Sequence, residues 1–146
     1  MKKTFTLFAL ALCGVFGAMA GNVKESSVPP VVKSYITKNY PQAANIDWNY
    51  EEQGNFYKAA FTLNNANYDF DIAPTGELIN SQQQIVESAL PDSVRAYIGQ
   101  QFPGFKIKDA WKIERRGIVT YRTDISGSNT DQTLYFSADG HLLKKS

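Results

Sequence analysis

Apolar residues recur along this chain in two rhythms, and the switch from one rhythm to the other happens twice. Behind Val28-Pro29-Pro30, the residues Val32, Tyr35, Ile36 and Tyr40 recur at three- and four-residue intervals until Pro41, which predicts a helix of about three turns. The period then drops to two. Ile46, Trp48 and Tyr50 alternate with Asp47, Asn49 and Glu51; Tyr57, Ala59, Phe61 and Leu63 alternate with polar or small residues; Tyr68, Phe70 and Ile72 alternate with Asn67, Asp69 and Asp71. Such alternation describes half-buried antiparallel strands. Gln53-Gly54-Asn55, Asn64-Asn65 and Pro74-Thr75-Gly76 fall at the joins, where a positive φ or a Pro-led turn is wanted.

The second half repeats the first. Val28-Pro29, Val32, Tyr35-Ile36 and Tyr40-Pro41 are answered 62 residues later by Leu90-Pro91, Val94, Tyr97-Ile98 and Phe102-Pro103. Ile46-Asp47-Trp48 then faces Ile107 to Trp111, Tyr57 faces Tyr121, and Ala73 to Ile79 faces Ser137 to Leu143, with the offset drifting to 64. The expected fold class is therefore α+β: two tandem repeats of a helix plus four antiparallel strands, packed into one structure with an extended antiparallel sheet. The first repeat covers residues 28–81 and the second 90–146; residues 82–89 are a Gln-rich connector or a continuation of the fourth strand.

The N-terminus has a different logic. Met1-Lys2-Lys3 is basic, Phe5 to Ala20 is uncharged, and Ala18-Met19-Ala20 is a small-x-small site ahead of Gly21. This is the pattern of a secretory signal peptide over residues 1–20, too short to span a bilayer and cleaved near Ala20/Gly21. The expected location is periplasmic or secreted. Cys13 would leave with the leader, so the exported domain has no cysteine and must rely on hydrophobic burial instead of disulfides.

Composition narrows function mainly by exclusion. One Cys and one His in 146 residues leave almost no material for a Cys/His nucleophile pair or a Cys/His metal cluster. His141 follows the Asp139-Gly140 turn and reads as a surface side chain. A formal charge of +1 argues against a generic nucleic-acid or membrane-surface binder. That average conceals an asymmetry. Residues 28–81 carry three basic against six acidic side chains, net −3, and residues 90–146 carry nine against six, net +3.

The basic excess is patterned. Lys106, Lys108, Lys112 and Arg116 share one parity of a strand whose other parity carries Phe105, Ile107, Trp111 and Ile113, with Arg122 expected on the next strand. On this reading the lysine row faces outward, and Trp111 belongs to the core with Trp48, Tyr57, Phe61, Tyr121 and Phe136. Tyr135 and Phe56 take the outward parity of their strands, where exposed aromatics mark interfaces. Partner-binding candidates are thus Lys106, Lys108, Lys112, Arg116, Arg122, Tyr135 and Phe56. Asp69 and Asp71, two apart on one strand face, are weak candidates for a calcium site. No cofactor is expected.

The doubled arrangement V/L-P-x-x-V-x-x-Y-I-x-x-x-Y/F-P, a Trp strand, an aromatic strand and a small-x-x-Gly-x-Leu-Ile/Leu hairpin resembles the PepSY-like family of exported bacterial proteins. The resemblance covers essentially all of residues 28–146. That family is similar in architecture to the beta-lactamase inhibitor protein, whose paired repeats grip an enzyme on a sheet surface, and it is related in concept to propeptide domains that restrain peptidases. The resemblance implies a non-enzymatic envelope module that binds or inhibits another envelope protein. A calcium or small-molecule sensor of the cell envelope is the alternative.

Overall fold

A computed structural model describes residues 20–146, the Ala20 side chain excepted; of the leader expected over residues 1–20 all but Ala20 lies outside the described residues, as does Cys13. Among the described residues two α-helices, α1 (Pro30–Asn39) and α2 (Asp92–Gln101), accompany nine strands. The strands are β1 (Ala20–Asn22), β2 (Asp47–Glu51), β3 (Phe56–Leu63), β4 (Ala66–Ile72), β5 (Leu78–Ile85), β6 (Lys106–Arg115), β7 (Ile118–Ser126), β8 (Asp131–Ser137) and β9 (Leu142–Lys145). All nine form a single antiparallel sheet in sequence order, β1 to β9. The β5–β6 pairing, from Asn80 opposite Arg115 to Ile85 opposite Ala110, fuses the two halves.

Each helix is launched in the same way. A 3-10 turn, Glu25–Ser27 or Glu87–Ala89, precedes a buried Val28 or Leu90 and an extended Pro29 or Pro91. Proline presets φ and forgoes an amide hydrogen that the first helical turn leaves unpaired anyway. Glu25-Ser26 and Glu87-Ser88 show that the duplication starts a few residues earlier than its Val-Pro and Leu-Pro signature. The helices close one turn after Ile36 and Ile98, whose carbonyls accept the Tyr40 and Phe102 amides.

Both helices lie on one side of the sheet. Val32 and Ile36 pack on Trp48, Ala59, Phe61, Phe70 and Ile72; Val94 and Ile98 pack on Ala110, Ile125, Leu134 and Phe136. Each of these aliphatic side chains contributes about 1.5–3 kcal/mol when fully buried. The first core is aromatic, with the Tyr40 ring 5.2 Å from Tyr68 and 5.1 Å from Phe70, and Phe61 stacked 5.2 Å from Tyr68. The second is aliphatic at the matching positions, with Ile125 and Leu134 where the first has Phe61 and Phe70.

Tight turns set the register. Asn64-Asn65 and Arg116-Gly117 are two-residue hairpin loops with positive φ at both positions, the backbone that matches the twist of the flanking strands. At Gly76 (φ 89°) and Gly140 (φ 92°) the hairpin after β4 and its repeat after β8 press on the first turns of α1 and α2. A Cβ on Gly76 would lie 2.9 Å from the Val31 carbonyl oxygen. Gln82 to Ile85 continue β5, so the Gln-rich stretch is mostly central strand.

Candidate functional site

One face of the sheet carries the helices, and the described elements leave the other open. Cross-strand neighbours share a face, so the register identifies what the open face displays. One row runs Asn49, Lys58, Asp71, Asn80, Arg115, Ile118. The next runs Asp47, Ala60, Asp69, Gln82, Ile113, Thr120. A third joins Gln84, Trp111, Arg122, Tyr135 and Lys144.

This overturns the expected parity of β6. The pairing slips between Ile107, opposite Ile125, and Asp109, opposite Asp124, so Lys108 is the extra residue of a bulge. One added residue turns every later side chain over. Ile107 and Ala110 therefore face the helices, whereas Asp109, Trp111 and Ile113 face the open side. Trp111 is not part of either core, in contrast to Trp48, Tyr57, Phe61, Tyr121 and Phe136, which are. Lys112 pairs across to Tyr121 and thence to Phe136, which places it on the helix-bearing side, still exposed.

The seven candidate residues consequently do not form one row. Arg122 and Tyr135 are neighbours on the open face. Arg116 is the first residue of the β6–β7 turn, Lys108 is the bulge residue, and Lys106 pairs with Ser126 at the far end of β6. Lys108 Nζ is also committed to Asp131, 3.4 Å away, and the Asp131 carboxyl is held below its usual range, first by the Ser126 hydroxyl and then by Lys108. Phe56 lies on the open face too, its ring 5.7 Å below Lys58 Nζ, but five strand spacings of about 4.8 Å, roughly 24 Å, separate β3 from Tyr135 on β8.

Two sets of paired polar side chains occupy the β5–β8 part of the open face. The Arg122 guanidinium carbon is 5.2 Å from the Trp111 ring centroid, and Arg122 Nη2 donates to Asp124 Oδ2 at 2.8 Å. Thr133 Oγ1 donates to the other Asp124 oxygen at 2.7 Å, and Gln84 Nε2 donates to Asp109 Oδ1 at 3.0 Å. Beside them lies a depression of about 670 Å³ lined by Ile113, Arg115, Ile118, Arg122 and Tyr135 and floored by Asn80 and Gln82. A second of about 420 Å³, sharing Gln82 and bounded by Asp69 and Trp111, continues towards β3.

The acidic half of the face carries its own countercharge. Lys58 Nζ is 3.2 Å from Asp71 Oδ1, and Asn80 Nδ2 donates to Asp71 Oδ2 at 3.2 Å. Burial opposes the charge of Lys58, yet Asp71, followed by Asp69 and Glu51, leaves its pKa raised. Burial raises the Asp69 carboxyl; Lys58 opposes that shift and Asp71 adds to it. Asp69 and Asp71 do share a face, but the cation beside them is the ammonium of Lys58. Among the described residues no three His, Cys, Asp or Glu side chains gather as a metal site would require. His141 is exposed in its turn, with Nδ1 3.0 Å from Asp139 Oδ2.

Sequence patterning missed Trp111, Ile113, Arg115 and Ile118 as members of this face. No residue type announces the bulge at Lys108. The available clue was that the 62-residue offset carries Trp48 onto Ala110 and not onto Trp111.

Two helix-backed halves of one antiparallel sheet, with the opposite face left open by the described elements and mixed in charge, define a tandem-repeat α+β protein built around a sheet surface. The chain belongs to the PepSY-like family: the family model described as "Putative beta-lactamase-inhibitor-like, PepSY-like" matches residues 18–80 and again 55–144. Solved structures share the fold. A DUF2874 family protein from Bacteroides ovatus is 19% identical over 82% of this chain and 87% of its own, with a TM-score of 0.65. A protein from Bacteroides eggerthii described as "putative periplasmic" is 19% identical over 82% and 88%, with a TM-score of 0.66. A BLIP-like protein from Bacteroides fragilis is 19% identical over 81% and 84%, with a TM-score of 0.61. No curated protein matches the chain. No helix among the described residues is long and apolar enough to cross a membrane.

Proposed function

We propose that this chain is a non-enzymatic binding module of the cell envelope, exported by its leader, that presents the open sheet face to a protein partner, an exported enzyme that it restrains being the class the architecture suggests. One observation carries the reading. Trp111, Ile113 and Tyr135, with Ile118 at 70% exposure, stand among arginines on the side of the sheet that no described helix covers. Aromatic and arginine side chains on a rigid platform are the composition of energetic interface centres. Eight strand spacings of about 4.8 Å give a face roughly 38 Å wide, ample for the ~800 Å² that each partner of an ordinary complex contributes. The likeness to a BLIP-like protein and the match to the PepSY-like family support the same reading, at the level of fold.

The test is affinity capture from the envelope fraction of the native organism. A partner retained by the wild type and by Lys38→Ala on α1, but released by Trp111→Ala with Tyr135→Ala, is the expected result. Equal retention by the open-face variant would overturn the reading.

A further inference from the structure

We propose that the β6–β7 end of the open face is the receptor for an acidic segment of the protein partner, with carboxylates on Arg115 and Arg116, an apolar side chain on Ile113 and Ile118, and Arg122, already paired with Asp124, offering only its Nε. The inference rests on the binding role proposed above for this face and specifies the chemistry it recognises.

Charge disposition is the first argument. On the acidic half of the face Lys58 is already spent on Asp71. On the basic half, Arg115 and Arg116 have no ion-pair partner among the described residues, and both are exposed at the rim of the 670 Å³ depression. Guanidinium groups bind carboxylates through two parallel hydrogen bonds, which gives direction as well as charge.

The second argument is unspent hydrogen-bonding capacity in the same depression. Arg122 Nε is a buried donor without a partner, and Oδ1 of Asn80, a residue 6% exposed, is an acceptor without one. Buried polar atoms are normally satisfied, so after a small side-chain shift the first would donate to a carboxylate and the second would accept a backbone N–H of the same segment. Ile118 supplies the third: a large apolar side chain 70% exposed directly beside two unpaired arginines, which a solvated strand end has no need of.

The same features select against other anions. Arg122 covers one face of the Trp111 ring, which leaves a sugar only the other face to stack on. An extended polyanion such as a nucleic acid would run from the arginines onto Asp69, Asp71 and Asp47 of the same face and be repelled. A short acidic stretch with an apolar neighbour fits the arginine end without crossing into the acidic end.

A random peptide library displayed against the immobilised full-length exported chain tests this directly. The comparison protein is Arg115→Gln with Arg116→Asn, because asparagine accepts the positive φ of position 116 and leaves the hairpin folded, which an unchanged melting temperature verifies. Selected peptides are expected to be enriched in Asp or Glu adjacent to Leu, Phe or Tyr, to bind the variant about tenfold or more weakly, and to weaken further with salt. Their amide shifts should cluster on residues 113–122. No enrichment, enrichment without excess acid, or equal binding to the variant would overturn the proposal. So would an oligogalacturonate that shifts the same amides while no acidic peptide is selected, since the recognised anion would then be a glycan. If acidic peptides fail while Trp111→Ala with Tyr135→Ala still releases the captured partner, the acidic-segment inference falls and the open-face reading stands.

Discussion

Trp48 and Ala110, not Trp48 and Trp111, occupy equivalent places in the two repeats. Trp48 lies opposite Ala59 and through it Phe70; Ala110 lies opposite Thr123 and through it Leu134; both are 2% exposed beneath their helices. The two repeats thus share a core position that one fills with the largest side chain and the other with nearly the smallest. A tryptophan one residue further on emerges on the opposite face, beside Arg122.

The two tryptophans should therefore separate in a mutational test. Trp48→Ala removes a fully buried ring from the first core and is expected to cost about 3–5 kcal/mol. Trp111→Ala should cost about 1 kcal/mol, because its ring is half-buried and packed against one guanidinium. Urea denaturation of both variants checks this. Acrylamide should quench the fluorescence of Trp111 in a Trp48→Phe background more strongly than that of Trp48 in a Trp111→Phe background.

The glycines give a second separation. Gly76 combines φ 89° with a Cβ position 2.8 Å from Val31 Cγ2 and 2.9 Å from the Val31 carbonyl, so Gly76→Ala meets both backbone strain and a wall. Gly117 has φ 81° and open space around it, so Gly117→Ala meets strain alone. Expected losses are about 2–3 kcal/mol for the first and about 1 kcal/mol for the second. Equal losses in chemical denaturation would mean that the contact of the β4–β5 hairpin with α1 does not hold the hairpin in place.

Most of the fold was legible because each of its signals is local. Pro29 and Pro91 mark helix starts, Asn64-Asn65 and Gly76 mark turns, and the alternation of Tyr57, Ala59 and Phe61 marks a strand; the second copy repeats the message. The open face was half legible. Asp69, Asp71, Arg122 and Tyr135 follow from uninterrupted alternation. Lys112 and Trp111 do not, because their orientation depends on how Ile107 and Asp109 pair with β7, and a pairing slip is a property of two strands together. An exposed helix-side lysine is tolerated because α2 covers only part of its half of the sheet.

The Asp69–Asp71–Lys58 cluster predicts a pH response. The folded-state pKa of Asp69 is raised by burial, so its protonation favours the folded state. That contribution is complete below the unfolded carboxylate value near 3.9 and is lost as pH rises through the raised folded pKa. Asp69→Asn should consequently be neutral or stabilising at pH 7 and should flatten the dependence of stability on pH in the acidic range. Lys58→Met removes the cation beside Asp71, which is 8% exposed, and should cost about 1–3 kcal/mol at pH 7, a figure moderated because Lys58 is itself 36% exposed. Asp71→Asn added to Lys58→Met should restore part of the loss. Denaturant melts from pH 3 to pH 8 measure all three.

Charge reversal on the two sides of β6–β7 discriminates between the row of cations expected from alternation and the face the register builds. If Lys106, Lys108, Lys112 and Arg116 acted as one surface, Lys112→Glu would impair partner capture as severely as Arg122→Glu. The observed register predicts otherwise. Lys112 points to the helix-bearing side opposite Tyr121, so Lys112→Glu should leave capture within about twofold of wild type, only residual long-range charge being felt across the sheet. Arg122 is held between Trp111 and Asp124 on the open face, and Arg122→Glu would place a second acid beside Asp124 and uncover the indole. Loss of about tenfold or more in affinity is expected, the range for disturbing a charged group at an interface centre. Binding isotherms for the two single variants at equal ionic strength decide the matter, and an equal loss from both would restore the single cationic row and displace the bulge at Lys108 as the feature that orders this face.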